Sequence, residues 1–103
     1  MYKLNYFVPA HAKENTKNAL FAIGVGSSKK YEKAAFETLG RGQFQAKVNA
    51  EPHIGTKEEL TIVEEYKVEM LCTDELITKA VALLKETHPY EEVAYEVIKL
   101  EDF

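Results

Sequence analysis

Thr87-His88-Pro89-Tyr90-Glu91-Glu92-Val93-Ala94-Tyr95-Glu96 is the stretch in which the chain changes from a helical to an extended period. Upstream, Leu76, Ile77, Ala80, Val81, Leu83 and Leu84 recur at helix spacing; downstream, Val93 to Leu100 reads as a strand. Pro89 stops the helix, because it has no N–H to donate and its ring turns His88 away from the helical conformation. Beside that stop stand an imidazole, a phenol and two carboxylates, more chemistry than a connection needs. His88, Tyr90, Glu91, Glu92 and Tyr95 are therefore the candidate ligand or interface residues. Glu91 and Glu92 are neighbours, so in extended chain they face opposite ways and do not form a proton-sharing pair. One is expected to accept a hydrogen bond while the other meets solvent. Tyr90 and Tyr95 supply packing area with a polar tip.

Working outward, Thr73 is a candidate cap for that helix, and Asp74 and Glu75 suit its positive end. Leu60 to Cys72 reads as a long strand whose alternation slips around Val63 to Tyr66, which predicts a bulge. Asn49 to Glu59, with Pro52 and Gly55, reads as irregular chain. Before it, an extended pattern from Tyr31 is interrupted at Gly40-Arg41-Gly42 and resumes over Phe44 to Val48. Tyr2 to Val8 alternates as a strand ended by Pro9. A helix follows through Ala19, Leu20, Ala22 and Ile23, with Asn15 or Thr16 as cap and Gly24 as stop.

The order β-α-β-β-α-β predicts a ferredoxin-like α+β two-layer sandwich, an antiparallel sheet covered on one side by two helices. One such domain fills residues 1–103. This topology brings the first strand–helix connection, the central hairpin and the His88 segment to one end. His11, His53 and His88 fall there together, with Glu51, Glu91 and Glu92. Imidazole and carboxylate form a normal ligand set for a divalent transition metal. No tight pairing such as H-E-x-x-H is present, so scattered surface histidines are the simpler reading and a metal site at His11, His53 and His88 the alternative.

Composition narrows the classes. The chain has 103 residues, 46% of them hydrophobic and 29% charged, a globular balance rather than a disordered one. A net charge of −4 gives no reason to expect nucleic acid or anionic lipid as partner. No apolar run reaches membrane-spanning length, and no signal-peptide core opens the chain. A single cysteine, Cys72, builds no disulfide framework, which leads to the expectation of a cytoplasmic protein. Set among apolar neighbours, Cys72 reads as a small hydrophobe, and Ser27 and Ser28 have no recognisable base. No catalytic residue is assigned. The Gly24–Gly26 and Gly40–Gly42 pairs lack phosphate-loop spacing and are expected to serve backbone needs.

Several ordered blocks carry a resemblance. They are Tyr6-Phe7-Val8-Pro9, Gly24-Val25-Gly26, Thr38-Leu39-Gly40-Arg41-Gly42-Gln43-Phe44, Pro52-His53-Ile54-Gly55, Glu64-Glu65-Tyr66-Lys67-Val68-Glu69 and His88-Pro89-Tyr90-Glu91-Glu92-Val93-Ala94-Tyr95. Over essentially its whole length the chain resembles the PII-like, CutA-like domain inserted in YqfO proteins of the Nif-three-like family, which is also found alone. The resemblance implies a PII/CutA-like fold and a homo-oligomer, a trimer in particular, whose subunit clefts hold ligands or ions. The family's two-metal site is built by the flanking domains, so no catalytic role carries over. The resulting expectation is a standalone, non-enzymatic module that binds a small ligand or a protein partner. The alternative is a divalent-cation binder of CutA type, a metal ion then being its cofactor.

Overall fold

In the computed structural model, residues 1–52 and 54–103 are described; His53 lies outside them. The elements are β1 (Tyr2–Val8), α1 (Ala10–Ala22), β2 (Phe36–Gln45), β3 (Leu60–Cys72), α2 (Ile77–Thr87) and β4 (Tyr95–Lys99). The strands form one antiparallel sheet in the order β2-β3-β1-β4, the ferredoxin-like arrangement.

Strand alternation sorts the side chains. Leu4, Tyr6 and Val8 of β1 and Val68, Met70 and Cys72 of β3 point to one face and are buried. They pack against Ala12 and Leu20 of α1 and Ala80 and Leu84 of α2 in a single core. Leu20 and Leu84 are fully buried, each worth about 1.5–3 kcal/mol over leaving it in water. Tyr6 brings a hydroxyl into this core, where it pairs with Thr16 Oγ1 at 2.9 Å. Burial pushes the Tyr6 phenol up to about 12, so it stays protonated.

Local details depart from the sequence reading in physical ways. Helix α1 begins at Ala10 with extended Pro9 as its cap, several residues before Asn15 or Thr16. Thr16 is interior instead, its hydroxyl donating to Lys13 O. Thr73 caps no helix by its side chain; its carbonyl accepts from Leu76 N–H, and α2 starts at Ile77. Gly24 does end the first helix region, with φ +104° and its N–H on Phe21 O. Strand β2 starts at Phe36 rather than Tyr31, passes through Gly40 and Gly42 unbroken, and stops at Gln45. No bulge occurs in β3: one register runs from Phe36↔Glu69 to Gln45↔Leu60.

The apparent slip in β3 has a simple cause. Strand β1 ends at Val8, opposite Tyr66, so the part of β3 nearer Leu60 projects with β2 as a hairpin arm. Neither face of that arm has to be apolar, and the alternation fades. The arm accounts for the elongated outline of 47 × 25 × 22 Å. Among the described residues no helix is long and apolar enough to cross a membrane.

Candidate functional site

The chain leaves α2 at His88, whose backbone turns extended (φ −79°, ψ 141°) while its N–H still closes on Leu84 O at 3.0 Å. That turn folds the imidazole back into the protein, where it is only 6% exposed. Its Nε2 lies 2.7 Å from Phe7 O, and Nδ1 accepts the Tyr90 backbone N–H at 3.1 Å. A carbonyl can only accept and an amide N–H can only donate, so this geometry requires the neutral ring with its hydrogen on Nε2. His88 thus ties the end of β1 to the start of the final loop.

Tyr90 continues the corner. Its ring meets that of His88 edge-on, with centroids 4.9 Å apart, and its phenol stands close enough to the Glu65 carboxylate on β3 for each to perturb the other. Burial pushes the Glu65 carboxyl up, partly offset by the nearby Tyr90 hydroxyl; burial and the Glu65 charge raise the Tyr90 phenol. Gly42 makes room for the Glu65 side chain, because a Cβ there would collide with Glu65 Oε1. Glu91 Oε1 accepts the Glu51 N–H at 2.8 Å, holding the hairpin linker to the same corner. Glu92, Val93, Tyr95 and Lys85 line an open depression of about 360 Å³, with Lys85 Nζ 5.3 Å from the Tyr95 ring centre.

Three of the sequence candidates, His88, Tyr90 and Glu91, therefore form one hydrogen-bonded corner, with Glu92 and Tyr95 on the adjoining depression. Of the three histidines, His11 is an exposed residue in the first turn of α1, and His53 lies outside the described residues. Among the described residues no group of three or more His, Cys, Asp or Glu side chains is placed to hold a metal ion. A cation would reach a ring nitrogen of His88 only by displacing the Phe7 or Tyr90 backbone. Glu51 stands at this end as the topology predicts, whereas Glu65 and Gly42 are not among the sequence candidates. The signal for Glu65 was present, since a glycine on the neighbouring strand leaves room for a side chain to lie across it.

At the opposite end of β3, the loop after α1 adds to the sheet: Gly26 N–H donates to Leu71 O and Ala34 N–H to Gly26 O. Gly26 has φ +79°, and a Cβ there would stand 2.5 Å from Ala34 O. Its glycine is a backbone necessity. Beside it lies an open depression of about 600 Å³ that includes Tyr31, Phe36 and Leu71. Among the described residues no helix or strand lies over the sheet face away from the helices.

No family model matches the chain. A Listeria monocytogenes protein named GTP cyclohydrolase 1 type 2 homolog is 41% identical over 103 residues, covering 96% of this chain and 27% of the relative. The chain thus spans about a quarter of the length of the curated relatives it matches. A Bacillus cereus protein related to NIF3 superposes with a TM-score of 0.84 at 31% identity, over 98% of this chain and 26% of that one. CutA1 from Pyrococcus horikoshii superposes at 0.73 over 100% of this chain and 86% of its own, at 16% identity, a likeness of fold. Over nearly its whole length the chain is thus similar to one segment of NIF3-related proteins, and its fold is that of the PII-like CutA proteins.

Proposed function

We propose that this domain is a non-enzymatic module that self-associates through its open sheet face and holds a small ligand or a protein partner beside the His88 corner. The observation that carries the reading is the open face itself. Phe36, Leu71 and Ile98 stand there 67%, 50% and 45% exposed, on three different strands. Large apolar side chains gathered on one uncovered face mark an interaction surface. A trimer is the assembly that the PII/CutA-like fold implies. The corner supports a holding role rather than catalysis: His88 uses both ring nitrogens on backbone, and Glu91 braces the hairpin linker. The depression at Glu92, Val93 and Tyr95 adjoins that brace and is the proposed ligand position.

Native mass spectrometry of the full chain, purified without chelator or metal-affinity steps, tests this. A trimer carrying a stoichiometric small molecule or protein supports the reading. A bare monomer at micromolar concentration overturns it, and a stoichiometric metal ion replaces it with the cation-binding reading.

A further inference from the structure

Across the centre of the open face runs a polar row: Glu69 on β3, Asn5 on β1 and Glu96 on β4, directly paired in register. Asn5 is 2% exposed, although it points away from the core. Its Nδ2 donates to Glu96 Oε1 at 3.2 Å. A carboxylate can only accept, so the amide nitrogen must face Glu96 whichever way the group is drawn. Oδ1 is then left over, and among the described residues no donor reaches it. A buried acceptor without a donor is costly, about 1–3 kcal/mol, so its persistence points to a donor that arrives from outside.

The chemistry of that donor follows from the surroundings. Oδ1 is flanked by two carboxylates, which favour a positive charge. Lys3 already serves Glu69, at 2.5 Å. One row further along the same face stands Lys67, opposite Phe7 and Thr38, with no carboxylate within 4.0 Å among the described residues. The face therefore holds one carboxylate of the row, Glu96, with no cation within 4.0 Å among the described residues, and a lysine with no carboxylate within that distance, and apolar Phe36, Leu71 and Ile98 surround them. Such a face is complementary to itself when one copy is shifted or rotated against the next, as in a closed ring of subunits.

Building on the self-association proposed above, we infer that the Glu69–Asn5–Glu96 row receives the Lys67 ammonium of a second copy and so sets the register of the assembly. A polar contact among apolar ones costs affinity if misaligned and selects the one alignment in which it is made. Lys67 therefore acts as the key and Asn5 as the centre of its lock.

The test is sedimentation equilibrium on wild type, Asn5→Leu, Lys67→Met and the double variant, with circular dichroism and thermal melting to verify folding. Leucine matches asparagine in size, so the sign of the effect is diagnostic. If a second copy fills Oδ1, Asn5→Leu weakens association by about tenfold or more, Lys67→Met does likewise, and the double variant is no weaker than the worse single one. If Oδ1 stays unfilled, Asn5→Leu associates as tightly as wild type or more tightly, which overturns the inference while leaving self-association intact. Additive single effects overturn the pairing with Lys67. An assembly lost on adding EDTA shows a divalent cation in the row and overturns it too. A monomeric wild type refutes both this inference and the self-association beneath it. Should Asn5→Leu melt as an unfolded chain, Glu96→Gln, which keeps size and removes charge, must weaken association in its place.

Discussion

Replacing His88 by alanine removes two backbone partners at once. Phe7 O loses the donor 2.7 Å away, and the Tyr90 N–H loses its acceptor at 3.1 Å. Each buried polar group left unmade costs about 1–3 kcal/mol. Phe7 O lies beneath a ring that is 6% exposed, whereas the Tyr90 amide is nearer water, so the expected total is about 2–4 kcal/mol. A domain of this size has about 5–15 kcal/mol in all, and the melting temperature should fall on the order of 10–20 °C. The assay is urea denaturation at one fixed protomer concentration, because association shifts apparent stability. Two further variants separate the bonds. His88→Asn places a carbonyl oxygen near the Nδ1 position and should recover part of the Tyr90 contact. His88→Gln places an amide nitrogen near Nε2 and should recover part of the Phe7 contact. An alanine variant that loses less than about 1 kcal/mol, or Asn and Gln variants no better than alanine, would refute the corner as a hydrogen-bonded clamp.

Other expectations follow from the same corner. The Glu65 carboxyl has its folded-state pKa raised by burial, so its charged form carries a penalty above that pKa that fades as pH falls through it. Glu65→Gln keeps the size and removes the buried charge, and should be more stable than wild type at pH 7, the two converging toward pH 4.5, the ordinary carboxylate value; a gap that stays constant with pH would contradict this. Glu91→Ala removes the acceptor of the Glu51 N–H, and hydrogen exchange at Glu51 should speed up severalfold while the core amides of β1 and β3 stay protected. Unchanged exchange at Glu51 would mean that the brace does not hold the linker.

The fold was legible because its strongest signals are periodic. Leu4-Tyr6-Val8 and Val68-Met70-Cys72 alternate, the α2 stripe repeats at helix spacing, and Pro9 and Pro89 mark element ends. Errors fell where a local signal had a second explanation. Thr16 has the chemistry of a cap, yet its hydroxyl serves Tyr6 inside the core. Gly40 and Gly42 looked like a break, yet one of them makes room for Glu65. The His88–Tyr95 block announced itself by mixing three kinds of polar group at a helix stop. Its partners could not be read, because Phe7 contributes only a carbonyl and Glu65 lies 25 residues away in an ordinary strand. Asn5 was hidden by its place in the alternation, where a polar residue reads as facing water.

The most direct measurement compares the sedimentation of wild type with Leu71→Glu and Ile98→Glu, each placing a charge on the open face. These side chains are half exposed in the single chain, so the substitutions should leave the fold intact. The account predicts an oligomeric wild type, a trimer, and folded monomers for both variants. A monomeric wild type, or charged variants that assemble as well as it does, would contradict the claim that this domain associates through its open sheet face.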